Sequence, residues 1–362
     1  MTPLGRLVDR VVDRGTLPDP VLRAAIRGLL ARRRRAVTAG SVEERDTRTR
    51  QLVAQLSASP VTVAVDEANQ QHYEVDPAFF ELLLGPRLKY SSAWWPPGVD
   101  DLAAAEEAML ALTAERAELA DGQDVLELGC GWGSLTLWMA ERYPRSRITA
   151  VSNSRSQATH IATRAAEAGL DNVRLLTADV GRLRVGAPGA AVDGDVLEAG
   201  AYDRVVSVEL FEHVRNHREL GRRIAGWLRE EGRLFVHVFS HASQPYAFET
   251  RSGGDWMARN FFTGGVMPSP DLLPRSIDAL RHEDRWPLSG RHYARTLAAW
   301  RQRLEARADE AAGLLEGPEL SGEVAVRRWR VFLLACEELF SVRDGDEWHV
   351  LHHRFVRDRG AS

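Results

Sequence analysis

Five short apolar runs, at 124–128, 148–152, 173–177, 204–208 and 234–239, recur between Asp121 and Ser243 with segments of helical spacing between them. Strands that alternate with helices lie side by side only through crossover connections, which predicts a parallel sheet clothed by helices. The Gly-, Ala- and Asp-rich stretch 184–200 interrupts this rhythm and reads as a surface loop. Ahead of the sheet, Val21, Leu22, Ala25, Ile26, Leu29 and Leu30 recur at helical spacing, broken before them at Pro18 and Pro20. Past Gln244 comes an aromatic stretch punctuated by Gly and Pro. A long helical pattern follows over 296–315, then an apolar helix at 331–340, a turn at Asp344-Gly345 and a last strand near 347–356. The chain therefore divides into a helical N-terminal region (1–70), an α/β Rossmann-like core (71–243), a mixed and helical substrate-covering insertion (244–322) and a C-terminal helix and strand that complete the core (323–362).

Such a sheet serves many ligands, so composition is needed to narrow them. With 362 residues and a formal net charge of −4 the chain lacks the basic face that phosphate backbones require, which argues against nucleic acid. Two cysteines, Cys130 and Cys336, are too few and too far apart for a disulfide framework or a zinc knuckle, and suit a reducing cytoplasm. No uninterrupted apolar run has the length of a signal or membrane-spanning helix. The basic run Arg32, Arg33, Arg34 and Arg35 suits either peripheral contact with anionic lipid or a solvated helix face against the main domain. His349, His352 and His353 share a strand on which the last two neighbours face opposite sides, so no metal is implied. The sequence leaves room for a homo-oligomer.

The first apolar run ends in Val125-Leu126-Glu127-Leu128 and feeds Gly129-Cys130-Gly131-Trp132-Gly133, a tight turn at the carboxyl edge of the sheet, where such folds bind ligands. Glycine at 129, 131 and 133 permits left-handed backbone and close approach. The spacing is not the dinucleotide pattern, which aims a helix dipole at a pyrophosphate. Glu127 instead suits a cationic ligand such as S-adenosylmethionine, whose sulfonium and ammonium carry positive charge. Asn153 follows the second strand and Gln157 lies a helical turn on, where both can hydrogen-bond ribose or adenine. Asp179, with Val180 beside it, follows the third strand, where an acid commonly meets the adenine amino group. Asn153 and Asp179 serve equally well as caps of the next helices.

Further motifs extend the pattern: Gln71-His72-Tyr73-Glu74-Val75, Leu88-Lys89-Tyr90-Ser91, Val151-Ser152-Asn153-Ser154, Glu209-Leu210-Phe211-Glu212-His213, the stretch 261–269, His292-Tyr293-Ala294 and Glu347-Trp348. Together they resemble the cyclopropane-fatty-acid-synthase superfamily of S-adenosylmethionine-dependent methyltransferases, most closely its coclaurine N-methyltransferase-like branch, nearly end to end. The resemblance implies a class I methyltransferase fold and cofactor contacts from Tyr90, Ser91, Gly129, Gly131, Gly133, Asn153, Gln157 and Asp179. It also implies substrate-side roles for Glu209, Glu212, His213 and His241. Cyclopropane synthases have glycine at the position of Glu209 and cysteine at that of Ser92, and work around a bicarbonate, whereas E-x-x-E-H is the N-methyltransferase pattern. The expectation is methylation of an amine nitrogen in a small, partly aromatic molecule. The alternative is cyclopropane-type methylation of an unsaturated phospholipid acyl chain. Trp94, Trp95, Trp256, Phe261, Phe262 and Tyr293 supply aromatic surface to wall a pocket or to pack the core.

Overall fold

The computed structural model describes residues 3–63, 76–189, 192, 194–248, 264–318 and 320–357. Its strands in chain order are β1 (Asp124–Leu128), β2 (Arg147–Ser152), β3 (Val173–Thr177), the short β4 (Arg184–Val185) and β5 (Val196–Leu197), and β6 (Tyr202–Val208). β7 (Leu228–His241), β8 (Tyr246–Ala247), β9 (Val266–Met267), β10 (Arg281–Leu288) and β11 (Trp348–Val356) follow. Seven form one sheet in the order β10-β11-β7-β6-β1-β2-β3, parallel from β3 through β7, with β11 antiparallel to both of its neighbours. From β1 the chain winds outward through β2 to β3, then returns to place β6 on the other side of β1. That reversal opens a crevice at the carboxyl ends of β1 and β6, which is where open α/β sheets hold ligands.

Every expected strand forms, and the departures have physical causes. β7 runs past 234–239 at both ends: β11 pairs with it from Trp348↔His241 to Val356↔Arg233, and its start at Leu228 pairs with Tyr202 of β6. β10 lies inside 244–322, so that segment is not purely an insertion but contributes the sheet's edge. Its sequence Arg281-His282-Glu283-Asp284-Arg285-Trp286-Pro287-Leu288 has the charges and the proline that suit an edge strand and hide it from an apolar-run search. The helix expected over 296–315 is two, Gly290–Ala306 and Ala308–Leu314, parted at Arg307, whose φ of −128° leaves the helical region. The apolar C-terminal helix begins earlier than expected, at Gly322, and ends at Phe340.

In the N-terminal region, helix Asp19–Thr38 carries Pro20 in its first turn, where no N–H is needed. It buries no residue of its own; it docks on helix Gly322–Phe340 through Arg23 and Arg27, each 2.5 Å from the nearly buried carboxylate of Glu338. Arg32 and Arg35 stay exposed. Among the described residues no helix is long and apolar enough to cross a membrane.

Candidate active site

At the crevice lies a half-open cleft lined from the ends of β1, β2, β3 and β6 and from the run Leu88 to Ser91. Its floor is the turn after β1. Gly129, Gly131 and Gly133 have φ of 79°, 53° and 83°, all in the left-handed region that side chains resist. They do different work. A Cβ on Gly131 would meet no atom within 4 Å, so the open side of this residue is the cleft itself. A Cβ on Gly133 would come within 2.6 Å of Ile161 Cγ1, so this glycine does not line the cleft but lets helix Ser134–Arg142 pack close to helix Arg155–Glu167.

Tyr90, Ser91, Glu127, Gly129, Gly131, Asn153, Gln157, Asp179 and Val180 all line this cleft. Gln157 is buried, with Oε1 accepting from the Ser152 hydroxyl at 2.9 Å, while its Nε2 has no partner among the described residues. Ser134 Oγ, also at the cleft, is likewise unpaired. Buried donors seldom stay unsatisfied, so both point to a ligand that completes them. Asp179 accepts from the Thr62 hydroxyl and, at 2.8 Å, from the Gly181 N–H; it caps no helix. The helix cap beside Asn153 is Ser154, leaving the Asn153 side chain to the cleft. Glu127 is 2% exposed and takes a hydrogen bond from the Thr136 hydroxyl; burial pushes its carboxyl up to about 7. A buried acid of this kind is a natural mate for a cation. Orphaned donors, open glycine floor and acid fit S-adenosylmethionine.

On the facing wall stands Glu209, at the end of β6 with φ of 50°, a conformation unusual for a side-chain-bearing residue. Its N–H donates to the His237 carbonyl at 2.8 Å, which locks the turn to β7. Its carboxylate is nearly buried and accepts two hydrogen bonds, from the Ser92 N–H on Oε1 at 3.0 Å and the Tyr293 hydroxyl on Oε2 at 2.6 Å; His237 Nε2 stands 3.3 Å from Oε1, at ion-pair distance. Burial pushes the Glu209 carboxyl up, but His237, Tyr293 and Ser92 together outweigh it and hold the group below the usual range. Glu212 is the opposite case. Burial and the neighbouring Glu209 charge drive its carboxyl well above the usual range, so one acid of the pair is ionised and the other protonated.

His213 lines the cleft beside Glu209, whereas Glu212 and His241 do not. Glu212 turns toward β7 and accepts the Phe239 N–H at 2.7 Å. His241 lies at the far end of β7, its Nδ1 accepting the Ser243 and Gln244 N–H groups and its Nε2 3.1 Å from Glu347 Oε1. It is a pin between strand ends, because β7 continues past the level of Glu209. Among the described members of the aromatic set Tyr293 reaches Glu209; Trp95 is packed beside Ala93 and Ala105 with its indole N–H on Thr296, and Trp94 packs against the large cluster that holds Tyr293. Trp256, Phe261, Phe262 and Gln71-His72-Tyr73-Glu74-Val75 lie outside the described residues.

Three residues of the site stand outside the sequence-predicted set: Thr62, His237 and the buried Lys89, whose Nζ donates to Ser91 Oγ and to the Ser92 carbonyl. Burial lowers the Lys89 ammonium to about 8 against the pull of Glu209 and Glu106. A lysine in the apolar Leu88-Lys89-Tyr90 run was a signal that could have been read; His237, embedded in an apolar strand, offered none.

Fold and cleft together are those of an S-adenosylmethionine-dependent methyltransferase. The family model described as mycolic acid cyclopropane synthetase matches residues 62–350. An (S)-coclaurine N-methyltransferase from Thalictrum flavum subsp. glaucum is 32% identical over 354 residues, covering 96% of this chain and 94% of the relative. A cyclopropane-fatty-acyl-phospholipid synthase from Escherichia coli (strain K12) is 28% identical, covering 80% of this chain and 68% of the relative. Among solved structures, coclaurine N-methyltransferase bound to N-methylheliamine and SAH superposes with a TM-score of 0.88 at 31% identity, covering 96% of this chain and 98% of that one. The chain belongs to the mycolic acid cyclopropane synthetase family and sits with its N-methyltransferases.

Proposed function

We propose that this methyltransferase acts on the nitrogen of a small, partly aromatic amine, with Glu209 as the ionised anchor that faces the reacting nitrogen. The observation that carries the proposal is the Glu209 carboxylate itself, kept charged in a nearly buried wall of the cleft by Ser92, Tyr293 and His237. Left-handed backbone at a non-glycine residue costs on the order of 1–2 kcal/mol, and such strain persists where function uses it. Bound S-adenosylmethionine supplies a methyl group already activated on a sulfonium. The Glu209 carboxylate, fixed in the wall of the cleft, would stabilise the positive charge that a methylated nitrogen acquires. The glycine floor, Asn153, Gln157 and Asp179 hold the cofactor; Tyr90, Ser91 and Val180 close its sides. The nitrogen must shed a proton to expose its lone pair, and His213, the imidazole among the described lining residues, takes that proton.

Acceptor choice falls to the segment 244–315 and cofactor binding to 71–243, with Thr62 reaching the same cleft beside Asp179. Two buried free cysteines and the lack of a spanning helix among the described residues support a cytoplasmic setting. The test is methyl transfer from labelled cofactor to heliamine, whose N-methyl product the coclaurine N-methyltransferase structure binds, run beside vesicles of unsaturated phospholipid. Labelled tertiary amine is expected. Labelled lipid with unmethylated amine would overturn the proposal.

A further inference from the structure

Behind Glu209 a line of hydrogen bonds runs away from the cleft to the end of helix Leu102–Arg116. His237 Nδ1 lies 2.9 Å from His352 Nε2, and His352 Nδ1 lies 2.9 Å from an Arg116 guanidinium nitrogen. Residues 116, 237 and 352 come from a helix end and two antiparallel strands, with His352 paired to His237 across the β7–β11 register. Both rings are fully buried, and Arg116 is half-buried with Trp286 across its face.

A guanidinium can only donate. His352 Nδ1 must therefore carry the lone pair, its proton must sit on Nε2, and that N–H must donate to His237 Nδ1. His237 in turn is left with its proton on Nε2, which makes no hydrogen bond of good geometry among the described residues and whose neighbouring acceptor is Glu209 Oε1 at 3.3 Å. Both rings are neutral in this arrangement. Burial first, then Arg116 and Lys89, holds each imidazole below its usual range, against the opposite pull of Glu209 on His237. The other groups facing the line are His353 beside His352, with Tyr293 and Glu212 around Glu209.

We propose that Arg116 is a positioning residue which, through His352 and then His237, fixes both ring tautomers so that an N–H always faces the Glu209 carboxylate. The proposal rests on Glu209 being the ionised anchor of the site. It gives one half-buried arginine a hold over the protonation of a carboxylate three residues along the line, without any proton moving between them.

The tautomers are measured by nitrogen NMR on the full chain with labelled histidine, with signals assigned from His237→Gln and His352→Gln. Nitrogen shifts should show Nε2 protonated and Nδ1 bare in both rings. Arg116→Met should mix the tautomers and move the acidic limb of the heliamine turnover profile up by about one pH unit, since a polar N–H held 3.3 Å from a carboxylate favours its charged form. The amine's own ionisation is common to both enzymes and cancels. Arg116→Lys, which also only donates, should restore tautomers and limb. A proton on Nδ1 of either wild-type ring overturns the proposal, and so does a folded Arg116→Met with unchanged tautomers and limb. If Arg116→Met does not fold, the wild-type tautomers and Arg116→Lys decide alone. Because NMR needs no acceptor, expected tautomers beside an inert amine would sink the acceptor reading and leave this line standing.

Discussion

Cofactor binding should depend on pH through Glu127, and the size of the effect follows from the burial of that carboxyl. Burial, outweighing the single Thr136 hydrogen bond, pushes its pKa up to about 7. A bound ammonium beside it favours the charged form, so binding must drive off whatever proton is there. With the bound-state pKa well under the working range, the apparent Kd is the intrinsic value multiplied by one plus the ratio of protonated to ionised Glu127. That factor is about 1.1 near pH 8 and about 11 near pH 6, a tenfold loosening or ~1.4 kcal/mol. About 0.9 proton should be released per ligand near pH 6 and about 0.1 near pH 8. Calorimetry with S-adenosylhomocysteine, which keeps the ammonium, in two buffers of different ionisation heat reads both quantities. Glu127→Gln should bind with a flat profile across that window, and 5′-methylthioadenosine, which lacks the amino-acid end, should be flat on the wild type. Lys89 also titrates, at about 8, so the comparison with Glu127→Gln isolates the carboxyl. A wild-type profile as flat as that of Glu127→Gln, with no proton released near pH 6, would refute the assignment.

Other substitutions separate the remaining parts of the site. Glu209→Gln keeps the shape but removes the charge and should cut turnover by about 10²–10³-fold, in the range of a lost electrostatic donor or acceptor, while S-adenosylhomocysteine affinity by calorimetry changes little. Equal loss of both would mean the two sites are misplaced. Gly131→Val puts a branched side chain into the open cleft on left-handed backbone, so calorimetry should find no cofactor binding although the protein still melts cooperatively. Glu338→Ala removes the nearly buried acid that holds Arg23 and Arg27, and should lower stability by about 1–3 kcal/mol in urea. Neighbouring arginines hold that carboxyl below its usual range against burial, so the stabilisation is present near neutral pH and is lost as pH falls through the lowered pKa. The gap between wild type and Glu338→Ala should close in acid.

The sequence by itself determined the parallel sheet, its glycine floor and the cofactor side of the cleft. Those features are written locally: apolar runs of strand length, left-handed glycines after the first of them, polar residues at the next strand ends. Glu209 was legible for the same reason, standing at a strand end where packing does not ask for an acid. The tertiary structure alone decided what the other candidates do. Glu212 spends its carboxyl on the β7 backbone and His241 pins two strand ends, because β7 runs two residues beyond its apolar run and carries His241 past the crevice. The charge on Glu209 belongs to no local pattern, since Ser92, His237 and Tyr293 reach it from three distant stretches of chain. Burial then sets which acid of the pair ionises, and burial is a property of the assembled fold rather than of neighbours in sequence.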